Sequence, residues 1–250
     1  MAELLCQTDS YLQEFNATVV AIDEAKSAVA FDRTAFYPGG GGQPHYRGWL
    51  LAGWEGRRRP APTPSRQTLA VTKVARQDEQ VWHTLDGVLP AVGTAVHGRL
   101  DWDRRYKLMR THTALHVLCG VVWRDYSALV TGGNMEPLQG RMDFEFAALR
   151  RELVQEIEAK VNSEVQQGRE VRVRILPRAE AFQIPDLIRT KINLLPEGIA
   201  EVRTVEIVGL DLQADGGTHV ANTHEVGHIR VVDYQSKGKI NKRLYIALEA

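Results

Sequence analysis

The first hundred residues carry short runs of β-branched and apolar residues that are separated by polar turns. These runs are Ala17–Ile22, Ala28–Phe31, Trp49–Trp54, Thr68–Val74 and Val81–Leu85. Regularly spaced short strands with turn signals between them predict a barrel or a sandwich. Three prolines within Arg57–Gln67 remove amide donors that a central strand needs, so this stretch is predicted to be a loop.

The pattern changes near residue 100. Asp101–Arg124 has helical length and no proline, and Asp101 or Asp103 is a candidate N-cap. Ala147–Gly168 has apolar residues at helical spacing and predicts a second helix. Further strands are predicted at Glu170–Leu176, Ala200–Val208, Ile229–Asp233 and Lys242–Leu248. We therefore predict an α+β chain, with a β-barrel-like domain over residues 1–100 and a second domain over residues 101–250.

The composition narrows the classes of protein that fit this pattern. The 250 residues include 31 Lys and Arg against 31 Asp and Glu, and 44% are hydrophobic. These values exclude a disordered chain and a strongly basic nucleic-acid coat. Cys6 and Cys119 are too few for a disulfide framework, which favours a reducing compartment. No signal peptide and no apolar span are visible, so we expect a soluble cytoplasmic protein without a membrane partner.

His112 and His116 form the first candidate site. Four residues make about one helical turn, so both imidazoles project from one face, at a spacing that suits a divalent metal. Two core histidines are the more common reading of such a pair. The zinc-protease class needs a glutamate directly after the first histidine, and Thr113 stands there instead, which excludes that class.

Two further segments are candidate sites. Asp215–His219 reads Asp-Gly-Gly-Thr-His, in which two residue types can bind zinc and two glycines make a tight loop; alone it also fits an ordinary turn. Thr34–Gln43 contains four consecutive glycines, and it lacks the Lys-Ser/Thr that ends a phosphate-binding P-loop. A flexible hairpin is the alternative for this second segment.

Taken together and in this order, the motifs resemble the editing domain of alanyl-tRNA synthetase, and more closely its free-standing relatives, the medium-sized AlaX trans-editing proteins. Phe36–Gln43 resembles the glycine-rich stretch of that family, and Arg110–His116 resembles its first zinc motif. Arg141–Phe144 and Gly216–Gly227 resemble the two motifs that follow.

The resemblance implies a hydrolase that deacylates mischarged tRNA(Ala), with Ser-tRNA(Ala) as substrate and Gly-tRNA(Ala) as a second candidate. It also implies an editing domain whose antiparallel sheet packs on a central helix that bears one zinc. Its implied ligands here are His112, His116 and His219. The family usually has a cysteine as the fourth ligand, and Asp215 stands at that position. Cys119 is a poor substitute, because it lies seven residues from His112, about 10.5 Å along the helix.

The implied reaction is hydrolysis of an aminoacyl ester, which needs an activated water and a stabilised oxyanion. The amides of Gly216, Gly217 and Thr218 are candidate oxyanion donors. Thr34 and Gln43 are candidates for reading the serine hydroxyl, because a site that binds this group leaves polar atoms unpaired with alanine. The glycines beside them are candidate substrate-binding residues: Gly39, Gly40, Gly41 and Gly42.

The C-terminal segment is the best candidate for contact with tRNA phosphates. It carries five basic residues against Asp233: Arg230, Lys237, Lys239, Lys242 and Arg243. Two alternatives stay open. One is a deacylase of the same architecture for another mischarged tRNA, and the other is a non-catalytic tRNA-binding module with a structural zinc.

Overall fold

The computed structural model describes residues 2–53, 68–190, 195 and 198–250. The loop predicted at Arg57–Gln67 and the predicted strand end at Trp54 lie outside these residues. The chain divides into two compact units. The first comprises residues 1–40 and 44–105, and the second comprises residues 41–43 and 106–250.

The first unit is built from strands. They are β1 (Glu3–Leu4), β2 (Glu14–Asp23), β3 (Ala28–Phe31), β4 (Arg33–Thr34), β5 (Gly48–Ala52), β6 (Thr68–Gln77), β7 (Gln80–Asp86) and β8 (Ala95–Leu100). Short 3₁₀ turns occupy Leu5–Gln7 and Glu24–Lys26. Six of the strands form a closed antiparallel sheet in the order β2-β3-β7-β6-β5-β8, while β1 pairs with β4 in parallel. Alternate side chains of these strands form the buried interior, among them Phe15, Val19, Leu69, Val71, Val81, Leu85, Val96 and Leu100.

The second unit combines helices with two antiparallel sheets. The helix α1 (Trp102–Tyr126) begins at the end of the first unit, and the other elements follow it. These are β9 (Val130–Glu136), β10 (Gln139–Glu145), α2 (Arg151–Gln166), β11 (Val171–Pro177), α3 (Arg178–Ala181), β12 (Glu201–Ile207), β13 (Asp211–Ala214), a 3₁₀ turn (Thr223–Val226), β14 (Ile229–Ser236) and β15 (Asn241–Leu248). One sheet has the order β14-β15-β10-β9 and the other has the order β11-β12-β13.

Helix α1 contacts both sheets of the second unit. A Cβ atom added at Gly120 would lie 2.8 Å from Leu210 Cγ, at the turn between β12 and β13, so only glycine permits this approach. On the other sheet, Gly140 of β10 lies against the side chain of Leu115. Asp101 caps the start of the helix, because its Oδ1 accepts a hydrogen bond from the Arg104 amide at 3.2 Å. No helix among the described residues combines the length and the apolar character needed to cross a membrane.

The predicted elements are confirmed within a few residues of their ends, whereas several strands were not predicted. The missed strands are β1, β4, β8, β9, β10 and β13. Strand β9 contains Gly132 and Gly133, which read as a turn in a single sequence. Strand β10 carries Arg141 and Asp143 in its interior, and charged residues hide its alternation. Asp143 is accommodated because Arg243 donates to both of its carboxylate oxygens, at 2.6 and 2.8 Å.

Candidate metal centre

Three histidines meet in the second unit. His112 and His116 lie one turn apart on α1, and the segment after β13 brings His219 to them. The ring centroids are 5.0 Å apart for His112 and His116, 4.2 Å for His112 and His219, and 4.6 Å for His116 and His219. All three residues are buried. The helical spacing predicted from the sequence therefore produces a shared imidazole cluster with the more distant histidine.

Asp215 completes this cluster. Its Oδ2 lies 3.1 Å from Nε2 of His219, and its Oδ1 lies 3.6 Å from Nε2 of His112. The Gly217 amide donates to Oδ2 at 2.7 Å, which makes the tight turn of the loop. Nη1 of the buried Arg203 donates to the Asp215 carbonyl at 2.9 Å. These contacts direct the carboxylate of Asp215 toward the imidazoles.

Each of two histidines is oriented by a partner on its Nδ1 atom. Nδ1 of His116 lies 3.2 Å from Oδ2 of Asp211, whose side chain is fully buried. Nδ1 of His219 lies 3.2 Å from the hydroxyl oxygen of Thr113, which also accepts from the Val220 amide at 3.2 Å. With Nδ1 occupied, the Nε2 atom of each ring is the nitrogen available to a metal.

Burial and charge shift the pKa values of the four clustered residues in different directions. Burial lowers the pKa of His112 to about 4 and lowers the pKa of His219 well below its usual value, so both imidazoles are neutral near pH 7. For His116 burial is the largest single cause and also acts to lower the pKa, but the hydrogen bond with Asp211 and the negative charges of Asp215 and Asp211 together outweigh it, so the pKa is raised. Burial opposes ionisation of Asp215, yet its interactions with His112 and the other imidazoles hold its pKa well below the usual range.

This group of side chains fits a metal ion. His112, His116, Asp215 and His219 each offer one ligand atom, and these atoms lie within 4.8 Å of one another. Three imidazole nitrogens and one carboxylate oxygen match the ligand types of tetrahedral metal sites in proteins. Asp211 and Thr113 add the outer hydrogen bonds that commonly orient metal-binding histidines.

A cavity of about 710 Å³ adjoins the cluster within the second unit. His112, His116 and Asp215 lie in its wall, together with the backbone of Gly132 and Gly133 in β9. Apolar side chains supply much of the remaining wall: Leu115, Val130, Met135, Met142, Leu187 and Leu195. The volume is ample for a small-molecule-sized group beside the candidate metal position.

The end of the glycine-rich motif belongs to this unit. Gly41 and Gly42 line the cavity. Gln43 is buried, and its amide contacts Thr218 twice: Nε2 donates to the Thr218 hydroxyl and Oε1 accepts from the Thr218 amide, both at 3.2 Å. A side chain at Gly217 would collide with both Gln43 and His112, so the loop requires glycine there. Gln43 thus holds the loop that carries His219.

The three amides predicted as oxyanion donors differ in their contacts. The Gly217 amide donates to Asp215 and the Thr218 amide donates to Gln43. Either amide can donate to an oxyanion only if it first breaks its hydrogen bond to Asp215 or Gln43. Gly216 lines the cavity.

Three further residues that were predicted to contact the substrate, Thr34, Gly39 and Gly40, belong to the first unit. Thr34 is fully buried there, and its hydroxyl lies 2.9 Å from Nε2 of His83. The hydroxyl oxygen also accepts from the Phe36 amide at 3.1 Å. The role of Thr34 in reading the serine hydroxyl stays a prediction.

The five basic residues of the C-terminal segment divide into two groups. Arg230, Lys237 and Lys239 are exposed on the β14–β15 hairpin. Lys242 is buried, and its Nζ donates to the carbonyls of Gly238 and Lys239 at 2.8 and 3.0 Å. Arg243 forms the ion pair with Asp143. The first group is directly accessible to a polyanion, whereas the second has internal partners.

Replacement of Asp211 tests the outer contacts of the site. We expect Asp211→Asn to lower metal affinity by about tenfold or more, because a neutral amide no longer raises the basicity of His116; losses of partners of this kind commonly cost about 10–100-fold. Metal titration against a chelator measures this affinity. Asp86→Asn, at an exposed site of the first unit, is the control. Equal affinities of the two variants would contradict this role of Asp211.

Comparisons with known proteins agree with the motifs. The family described as the Threonyl and Alanyl tRNA synthetase second additional domain matches residues 202–245. The chain is 38% identical over 252 residues to the alanyl-tRNA editing protein AlaX-M of Saccharolobus solfataricus, with 100% of both chains covered. It is 37% identical over 254 residues to AlaX-M of Methanosarcina mazei, covering 99% of this chain and 97% of the other. The alanine–tRNA ligase of Ignicoccus hospitalis is 35% identical over 234 residues, which are 91% of this chain and 24% of the ligase.

Proposed function

Because this chain belongs to the AlaX-M family of alanyl-tRNA editing proteins, we propose that it removes serine from mischarged tRNA(Ala) in trans, with Gly-tRNA(Ala) as a second candidate substrate. It is an aminoacyl-tRNA deacylase, a hydrolase that acts on ester bonds. The observation that supports hydrolysis is the His/Asp cluster, three members of which lie in the wall of a cavity, and the choice of serine rests on the family resemblance. The cytoplasm, where tRNA is aminoacylated, is the expected location.

We propose zinc as the metal, held by His112, His116, His219 and Asp215. Three nitrogens and one oxygen suit zinc, and bound zinc supplies Lewis-acid polarisation or a water of lowered pKa. Thr113 and Asp211 orient two of the ligands, and Gln43 fixes the loop between Asp215 and His219. These side chains hold the metal-ligand atoms rigidly in place, so the site needs little reorganisation when the ester binds.

We propose that the chain's own groups complete the site around the ester. The Gly216 amide, in the cavity wall, is the candidate oxyanion donor; Gly217 and Thr218 stay candidates through exchange of their present partners. Thr34 and Gln43 stay the candidates that read the serine hydroxyl, and Gly39–Gly42 the candidates for substrate contact. Discrimination then comes from polar atoms that serine satisfies and alanine leaves unpaired.

We propose that the β14–β15 hairpin contributes to tRNA binding. Arg230, Lys237 and Lys239 are exposed, so they are positioned to meet phosphates, and their contacts would make binding sensitive to salt. Lys242 and Arg243 add positive charge from within the hairpin. We also propose the domain organisation predicted above: a β-barrel-like domain over residues 1–100 that carries the glycine-rich motif, and a deacylase domain over residues 101–250.

We expect the protein to hydrolyse Ser-tRNA(Ala) at least about 100-fold faster than Ala-tRNA(Ala), a ratio that hydroxyl recognition readily supplies. Release of labelled amino acid from Ser-, Gly- and Ala-tRNA(Ala) measures it. Equal rates on serine and alanine would contradict editing of tRNA(Ala). Tight tRNA binding without release of any amino acid would instead support a binding module with a structural zinc. Hydrolysis of another mischarged tRNA alone would show that this other tRNA is the substrate.

A further inference from the structure

The cavity beside the metal centre has a cation in its wall. Arg189 precedes the end of the described segment at Thr190, and its side chain is 11% exposed. Among the described residues that line the cavity, Arg189 carries the one permanent positive charge. The deacylation proposed above assigns no role to this charge.

The guanidinium of Arg189 is held in place without using all its hydrogen-bond donors. Its Cζ lies 4.7 Å from the centroid of the Trp123 ring. Nε lies 3.6 Å from Oδ1 of Asp211, and Nη1 lies 3.8 Å from Oδ2 of Asp186, both beyond hydrogen-bond length. Nε and Nη1 are buried and make no hydrogen bond. The two carboxylates balance the charge of the guanidinium at these distances, but buried donors that make no hydrogen bond are uncommon, which makes Arg189 a candidate for binding an acceptor from outside the chain.

Arg189 also lies close to the candidate metal position. Oδ2 of Asp211 contacts His116 at 3.2 Å, and Oδ1 of the same carboxylate faces Arg189. The Asp211 carboxylate therefore links the guanidinium to a metal-ligand imidazole. The contact with the Trp123 ring restrains the guanidinium, which lowers the entropy lost when an anion binds.

We propose that Arg189 binds a backbone phosphate of the 3′-terminal nucleotides of the tRNA. This inference rests on the proposed function, because the ester is then carried by the terminal ribose at the metal centre. A phosphate group lies within one nucleotide unit of that ester, and planar guanidinium donors match phosphate oxygens in paired geometry. Oδ2 of Asp211 contacts Nδ1 of His116 and accepts a hydrogen bond from Gln213 at 2.6 Å. Both contacts stabilise the negative charge of Asp211, so its repulsion of the phosphate is reduced.

A different role for Arg189 has different consequences. If Arg189 serves only as counter-ion to Asp211, its removal disturbs the orientation of His116 and hence metal affinity, with no effect on the electrostatics of tRNA binding. If Arg189 binds a phosphate, its removal weakens tRNA binding and removes about one ion pair from the salt dependence. The two roles are therefore separated by two measurements on one variant.

The test compares wild type, Arg189→Gln and Arg189→Lys for binding of uncharged tRNA(Ala) at several salt concentrations. We expect Arg189→Gln to weaken binding by about tenfold and to reduce the slope of log K against log salt by roughly 0.7–0.9. Lysine keeps the charge and loses the paired donors, so Arg189→Lys should keep the slope and recover part of the affinity. Arg76→Gln, at an exposed site of β6, removes the same charge elsewhere and is the matched control.

A second arm uses tRNA(Ala) that lacks its three 3′-terminal nucleotides. Wild type and Arg189→Gln should bind this shortened tRNA equally, and both should bind metal with equal affinity. An unchanged salt slope, or a persistent difference on the shortened tRNA, would overturn the phosphate role, and lowered metal affinity would assign Arg189 to Asp211 instead. Failure of the wild type to bind tRNA(Ala) would overturn the proposed function itself, which separates the two failures.

Discussion

His219→Ala should remove most of the bound metal and lower deacylation by at least about 100-fold. A lost outer partner of a ligand commonly costs about 10–100-fold, and here a ligand itself is lost. His219 also bridges the cluster, because its Nδ1 contacts Thr113 on α1 and its Nε2 contacts Asp215. No other described histidine, cysteine or acidic residue belongs to this group of ligand atoms, so no neighbour replaces the imidazole. Metal content per chain and release of serine from Ser-tRNA(Ala) are the two measurements.

His228→Ala is the matched control for this variant. His228 is exposed and follows His219 by nine residues, so the same substitution there should leave metal content and activity unchanged. Thermal unfolding of both variants, with and without added zinc, separates a lost ligand from a lost fold. Full activity of a folded, metal-free His219→Ala protein would show that the metal has no part in hydrolysis.

The sequence identified the ligands better than it identified what orients them. His112 and His116 follow from helical spacing, and Asp215 with His219 follows from a short motif. In the sequence Thr113 excludes a zinc protease, but nothing in the pattern shows that its hydroxyl contacts His219, 106 positions away. Asp211 lies 95 positions from His116 and carries no local signal. Such contacts depend on how α1 packs beside β13, which a pattern along one chain does not specify.

The strands that were not predicted also differ in how much local signal they carry. β8 alternates Val96, Gly98 and Leu100 toward the interior, a signal that was present and was obscured by the glycine. Gly98 is needed because the Phe15 ring occupies the space that its side chain would fill. β9 has no such alternation and exists as a strand because β10 pairs with it. Tertiary pairing therefore decides the elements for which local preference is weak.

The second large effect concerns Asp215, at the position where the resemblance implies a cysteine. We expect Asp215→Ala to reduce zinc affinity almost as strongly as His219→Ala, because Oδ1 lies 3.6 Å from Nε2 of His112 within the ligand cluster. Asp215→Cys should hold zinc at least as tightly as wild type, since a thiolate is also anionic and is a softer ligand. Competition with a chelator, followed by serine release, measures both properties.

Asp215→Asn separates the two tasks of this side chain. Asparagine keeps an oxygen for the Gly217 amide, which Asp215 binds at 2.7 Å, but it removes the negative charge that faces His112 and His219. If the carboxylate is a metal ligand, the asparagine and alanine variants should both lose most of their zinc affinity. Wild-type zinc affinity in Asp215→Asn, with loss only in Asp215→Ala, would show that the residue shapes the loop and that three histidines hold the metal. Retention in both variants would leave the carboxylate to act on substrate or water, and the predicted fourth ligand would be wrong.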